Sequence, residues 1–487
     1  MPSKGVQVFA YIAVPDCKIE LSVPGETVTF SEQRKFWSRS LEVESSKIRS
    51  LLDKRGRFTF KIFHKGTQLT EQWIDVNALT GNASGGTLEK ISKTPSLVVR
   101  DRGLIISYGL YEAGKGHKAS EIHVLPNKHQ CYITISPDYA SWIGRLAPVG
   151  SPAENKPFHR LVLPAAHDVG MNSMESTEAL LKKVGGAIVS TLIGDRLPKQ
   201  REAISQLANT LSKDAISKIA PNIVYSLAIT QKDSLETMLR IGARYFEFRP
   251  ARLHRAVISC GALPDKLYFQ HGAIPGMAYD EFLKGVLAFL RANPTEIVVV
   301  QLRWDGVPDE CARPSDKEKK EYLEKALKDP AGGNGEIVAG GLDDMKKKSI
   351  AQLRKDKKRL IMLDMVDSLS TYTDEGNATL NGDSMVQALP KVLTPENQKG
   401  KAFVNIQCQA TASNIPKAVV HSIIEASVTN SLLLATKGIC DSKMLPWCRD
   451  NVLQVCLLDI LVVIMNDWID GATAHVCFEL SKQRLQK

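Results

Sequence analysis

No stretch of this chain is apolar for the roughly 18 or more consecutive residues that a bilayer-crossing helix needs. The longest apolar run, Val452 to Met465, is interrupted by Gln454 and Asp459. The opening MPSKGVQVFAYIAVPD carries Lys4 but no continuous apolar segment ending in small residues, so it does not read as a secretory leader. Nine cysteines are scattered without a CxxC pair, which excludes a zinc ribbon and a thioredoxin-type redox motif. With no leader, an odd number of thiols reads as reduced cysteines in a cytoplasmic protein. There is no G-x4-G-K-[ST] loop, H-E-x-x-H pair or G-x-S-x-G elbow, so the common nucleotide, zinc-protease and serine-hydrolase chemistries have no anchor. RNA-binding signatures and zinc fingers are also missing, and nucleic acid is not an expected partner.

What is present is an ordinary globular composition. The 487 residues are 43% hydrophobic and 24% charged, with a formal net charge of +10. That length accommodates two or three domains. The basic surplus is concentrated early, where residues 1–150 hold 20 Lys and Arg against 14 Asp and Glu. Such a surplus favours anionic partners, and it admits peripheral contact with an anionic membrane. The basic and aromatic run KRGRFTFKIFHKG (54–66) reads as a solvated strand face.

The texture of the chain changes near residue 150. Before it, the short runs VQVFAYIAV, IELSV, ETVTF, RFTFKIF, SLVVR, LIISYGLYE, EIHVL and CYITI alternate with turn signals such as PGE, RGR and PNK. This spacing predicts a β-rich, sandwich-like domain over 1–148. The segment APVGSPAENKP (147–157) reads as a linker. Beyond it, from 158 to 487, apolar strand-like runs alternate with helical stretches: RLVLP (160–164), RYFEF (244–248), KLYFQ (266–270), EIVVVQL (296–302), RLIMLD (359–364), AFVNIQ (402–407) and LVVIMND (461–467). In DEFLKGVLAFLRANP (280–294), Phe282, Val286, Phe289 and Leu290 share one helical face, with Asn-Pro as a stop. Strands apolar on both faces and separated by helices are parallel and buried, and seven or eight such units predict a closed (β/α)8 barrel of the TIM type.

Polar residues gather at the C-terminal ends of these runs. His167 and Asp168 follow the first, Glu247 and Arg249 close the second, His271 follows the third, and Asp467 ends the last. In a barrel such ends converge at one mouth. Two histidines supply an acid and a base near neutral pH, and a guanidinium is the natural partner of phosphate oxygens.

These motifs carry a resemblance. LPAAHDVGM, TQKDSLETMLRIGARYFEFR, FQHG and VVIMNDW, in that order over roughly 330 residues, resemble the X-domain of phosphatidylinositol-specific phospholipase C, particularly the compact bacterial type and its fungal relatives. The first 150 residues lie outside the resemblance. It implies a phospholipid or small phosphodiester substrate cleaved through a cyclic phosphodiester. His167 then matches the general base, and His271 the general acid. Asp467 orients the base, Asp168 pairs with the arginine and supports the acid, and Arg249 stabilises charge on the phosphoryl oxygens. In calcium-dependent members the second strand carries two acids one residue apart. Here the second of them is Arg249, a fixed cation, so the resemblance implies a site with no metal and no cofactor, in which Glu247 holds Arg249. Arg303, after EIVVVQL, stands where a lysine is usual, and with Glu247 it forms the expected substrate-binding set. Asp364 and Met365 stand where bacterial enzymes carry Lys-Arg, so the headgroup pattern departs from theirs.

Residues 176–224 form a second departure. Ile204, Leu207, Ala208, Leu211 and Ala215 recur at helical spacing after VGGAIVSTLIG (184–194), which predicts a helical insertion packed on the barrel. A lid or membrane-contacting segment is the alternative reading. Two other functions stay open at this level. One is a metal-dependent glycerophosphodiesterase, although His-Asp and Glu-x-Arg replace the His-Arg and Glu-x-Asp of that type. The other is a catalytically idle binder of lipid headgroups.

Overall fold

The computed structural model describes residues 4–50, 52–88, 94–113, 128–184, 224–225, 228–329, 335–372, 382–410 and 431–487. Ten described strands come first: β1 (Gly5–Ile12), β2 (Cys17–Val23), β3 (Glu26–Phe30), β4 (Trp37–Glu42), β5 (Arg55–His64), β6 (Thr67–Asn77), β7 (Ala83–Ser84), β8 (Leu97–Val99), β9 (Leu104–Tyr111) and β10 (His129–Pro137). They form two five-stranded sheets, ordered β4-β1-β10-β9-β8 and β3-β2-β5-β6-β7. Val6, Val8 and Ile12 of one sheet share a core with Ile19, Leu21, Phe58, Phe60 and Ile62 of the other. β1 and β10 run parallel, and the other ladders of the two sheets are antiparallel.

In the first of these sheets the central strands β9 and β10 are buried on both faces. Along β9 and β10, Ile106, Leu110, Cys131, Ile133 and Ile135 point into the sandwich. Their neighbours Ile105, Tyr111 and Tyr132 belong to the core of the second half of the chain. That is why β9 is buried at every residue, a feature otherwise typical of parallel strands. The segment 147–157 is accordingly no free linker. Glu154 accepts from Gly150 N and pairs with Arg354, whose guanidinium also donates to the carbonyl of Ala147. On β5 the basic residues meet acids across the hairpin, Arg57 with Asp75 and Lys61 with Glu71, leaving Phe58, Phe60 and Ile62 inside.

Eleven further strands follow: β11 (Val162–Ala166), β12 (Tyr245–Phe248), β13 (Pro250–Ala251), β14 (Tyr268–His271), β15 (Ile274–Ala278), β16 (Val298–Leu302), β17 (Ala339–Gly340), β18 (Leu360–Asp364), β19 (Leu369–Ser370), β20 (Phe403–Gln407) and β21 (Leu461–Asn466). Eight of them form one curled parallel sheet, ordered β17-β18-β16-β12-β11-β21-β20-β19. The helix Tyr279–Ala292 buries Phe282, Val286, Phe289 and Leu290, as its spacing predicts.

Two features correct the expectation of a closed barrel. Among the described residues no ladder joins β17 to β19, so the sheet is an open half-barrel whose edge strands are two residues long. A strand that short offers too few backbone groups to close a seam. The run KLYFQ is also not a barrel strand. It supplies β14, the middle of a separate antiparallel sheet ordered β13-β14-β15. Strand propensity is legible from the side chains, but the partner that the backbone bonds to is not. Of the expected insertion, Glu175–Val184 is a helix, and residues 185–223 lie outside the described residues.

Candidate active site

Strands β16, β12, β11 and β21 are consecutive in the sheet, so their C-terminal ends stand side by side. That neighbourhood brings Arg303, the Glu247–Arg249 pair, His167 with Asp168, and Asp467 to one place. The chain leaves β11 through His167, whose N–H donates to the carbonyl of Asn466 at 3.0 Å. Asp168 then turns in the left-handed region, with φ of 45°. Trp468, just after Asp467, does the same with φ of 48°. Non-glycine residues held there cost free energy that surrounding contacts must offset, and such residues cluster at functional sites.

His271 reaches the group by another route. It closes β14 and is followed by Gly272, whose φ of 62° starts the turn into β15. The hairpin lies on the loop after β11, where Met277 N donates to Gly170 O at 2.8 Å. That approach places His271 Nε2 3.3 Å from Asp168 Oδ2.

Asp168, almost fully buried, is the hub. His167 Nε2 lies 3.7 Å from its Oδ2, and Arg249 Nη2 lies 2.7 Å from its Oδ1. On the far side of the first imidazole, His167 Nδ1 meets Asp467 Oδ1 at 2.7 Å. With Asp467 accepting from Nδ1–H, Nε2 is the nitrogen left to exchange a proton with substrate. Burial alone would lower the pKa of His167, but Asp168 and Asp467 reverse that and push it up to about 9. Burial raises the carboxyl of Asp467, and the His167 imidazole opposes it.

Glu247 is enclosed between two guanidiniums. Arg249 Nη2 donates to Oε1 at 3.0 Å and Arg303 Nη1 to Oε2 at 2.8 Å. Burial would raise this carboxyl, but Arg303 and then Arg249 hold it at about 2. With 1% of its side chain exposed and both oxygens engaged, Glu247 is not positioned to touch substrate. Its carboxylate instead holds the two guanidiniums beside it. Arg303 is 27% exposed and also pairs with Asp305. Asp364 is exposed and ion-paired with Lys319, and Met365 is 59% exposed, so neither joins the cluster.

His167, Asp168 and Glu247 offer ligand atoms that all lie within 4.8 Å of one another, a grouping able to hold a metal ion. Arg249 Nη2 stands between the two carboxylates of that grouping, at 2.7 and 3.0 Å. A divalent cation there would face a fixed positive charge at contact distance, which opposes its binding.

Two residues to which the sequence alone assigns no role complete the arrangement. Thr230 Oγ1 donates to the carbonyl of His167 at 3.0 Å. Gln231 Nε2 donates to the carbonyls of His167 and Asn466, both at 3.0 Å, while its Oε1 accepts from Ile469 N at 2.9 Å. Both side chains are buried, and together they tie the end of β11 to the end of β21. The only local signal is a pair of neutral polar residues shortly before the helix cap Ser234.

No family model matches the chain, and no curated protein matches it. Among solved structures, a variant of phosphatidylinositol-specific phospholipase C from Staphylococcus aureus is 13% identical, covering 70% of this chain and 96% of its own at a TM-score of 0.41. The phosphatidylinositol-specific phospholipase C from Listeria monocytogenes is 12% identical, covering 70% of this chain and 98% of its own at a TM-score of 0.36.

Proposed function

We propose that this chain is a metal-independent phosphodiesterase acting on a phospholipid-like ester whose alcohol carries a hydroxyl beside the phosphate. The carrying observation is that both imidazoles and one guanidinium meet a single carboxylate, at 3.7, 3.3 and 2.7 Å from Asp168. In this reading His167 Nε2 takes the proton of the neighbouring hydroxyl, and that oxygen forms a bond to phosphorus. The P–O bond to the leaving alcohol breaks, and His271 gives its proton to the departing oxygen. Arg249 supplies fixed positive charge where the phosphoryl oxygens gain negative charge, in a setting already organised by Asp168 and Glu247. Arg303, held by the same Glu247, supplies a further cation for the rest of an anionic headgroup.

The test is turnover of a panel of phosphodiesters with and without chelator, followed by ³¹P NMR. A cyclic phosphodiester product and unchanged rates in EDTA are expected. Loss of activity in EDTA with recovery on added Ca²⁺ or Mg²⁺ would overturn metal independence and promote the glycerophosphodiesterase-like alternative. No turnover of any diester would favour the idle headgroup binder.

A further inference from the structure

We infer that the N-terminal sandwich is a positioning element of the catalytic centre, acting through the four-residue strap Thr230–Asp233. This rests on the phosphodiesterase reading for its kinetic consequence but not for its structural one. The strap is bonded at both ends. Its first two residues, Thr230 and Gln231, hold the carbonyls of His167 and Asn466, and Thr230 Oγ1 also reaches that of Asp168 at 3.2 Å. Its last two are sunk into the sandwich. Asp233 accepts from Ser96 N at 2.6 Å and from Ser96 Oγ at 2.7 Å, and Lys232 Nζ donates to the carbonyl of Thr94 at 2.7 Å. Ser96 Oγ also meets Ser107 Oγ of β9 at 2.8 Å.

Lys232 and Asp233 lie 3.6 Å apart with 1% and 2% of their side chains exposed. A buried pair of this kind is costly to form and still costlier to break, because one partner left alone is an uncompensated charge. It therefore settles into one position only when the sandwich supplies its remaining hydrogen bonds. The adjoining backbone then fixes where Thr230 and Gln231 present their side chains. Those side chains hold the left-handed turn at Asp168, a conformation that needs external restraint. The chain of contacts runs Ser107, Ser96, Asp233, Gln231, His167. Ser96 and Ser107 touch none of the reacting groups, so they act only through the strap.

The experiment uses the full chain and the variants Ser96→Ala, Gln231→Met and their double. Ser96→Ala should lower kcat by about 2- to 30-fold, the span that coupling through a packed network carries, with KM within about twofold of wild type. The His167 titration, followed by ¹⁵N imidazole NMR without substrate, should move down from about 9 as its carboxylates drift from it. The double variant should lose less than the product of the two single losses. A folded Ser96→Ala chain with unchanged kcat and an unchanged His167 titration would overturn the inference, as would losses that multiply. If Ser96→Ala does not fold, Ser96→Cys, which keeps the backbone bond to Asp233 and weakens the side-chain one, carries the same expectations. If the wild type cleaves no phosphodiester, the proposed function fails. The NMR titration then decides the strap by itself.

Discussion

At the scale of single residues, the cluster is an alternation of charges around buried carboxylates. Asp168 meets two imidazoles and a guanidinium, and Glu247 meets two guanidiniums. Because His167 is held at about 9, its neutral, proton-accepting form grows as pH rises through that value. The limb of kcat/KM on the acid side should therefore have its midpoint near 9 rather than near 6.5. Asp467→Asn removes one of the carboxylates that raise the imidazole, so the same limb should shift to lower pH while the plateau falls. A pH–rate series on both proteins checks this, and a limb indifferent to Asp467→Asn would sink the assignment. The stability sign runs the same way for His167, whose contribution is complete below its ordinary 6.5 and lost as pH rises through about 9. Arg249→Lys should cut turnover severely in spite of the conserved charge, since Nη2 is taken up by Asp168 and Glu247 at 2.7 and 3.0 Å and the rest of the guanidinium is what is left to meet the phosphoryl oxygens. An ammonium lacks that planar fork. Wild-type rates in Arg249→Lys would show that only net charge matters there.

At the scale of elements, the β14–β15 hairpin decides whether there is a second histidine in the site at all. Its seating depends on backbone approaching backbone, because a Cβ at Gly276 would stand 2.2 Å from Gly170 O and 2.8 Å from Met171 Sδ. Gly276→Ala should cost about 1–3 kcal/mol of stability through overpacking, and it should also lower kcat because His271 closes β14, the strand paired with the displaced β15. Thermal melts together with kinetics test this, and a destabilised variant of unchanged kcat would separate the hairpin from catalysis. The hairpin also marks where the sequence is ambiguous. The aromatic pair Tyr268-Phe269 reads as strand in the same way whether that strand pairs in parallel or antiparallel fashion. Strand β6 was not legible for a different reason. TQLTEQWIDVN is largely polar and only partly buried, and its place comes from the Lys65-Gly66 turn, with φ of 50° and 79°, that folds it onto β5.

At the scale of the whole molecule, sandwich and half-barrel share a core. Arg244 and Glu296, both fully buried, meet at 2.7 Å where the two halves join. Arg244 donates onward to the carbonyls of Tyr139 and Ala140, and Glu296 accepts from Ile143 N and Gly144 N. Glu296→Gln leaves the guanidinium without its counter-charge and should cost about 3–5 kcal/mol. Calorimetry should show the loss as one transition moved to lower temperature, because both halves depend on the pair. Two separated transitions would mean that the halves fold independently. The same contacts make removal of residues 1–150 a poor probe of membrane binding, since it would uncover Arg244, Lys232 and Asp233 as well as the apolar surface under Tyr132 and Trp142.

Residue order alone determined the change of texture near residue 150, most of the parallel strands of the second half, and the polar residues just past their C-terminal ends. These are local matters, since periodicity and propensity record which faces of a segment are buried. Tertiary structure decided the rest: the open seam, the separate hairpin bearing His271, the enclosure of Glu247 between two arginines, and the role of Thr230 and Gln231. Each depends on a partner far along the chain, as Asp233 depends on Ser96 and His167 on Asp467. A side chain's own type does not say which distant group it will meet.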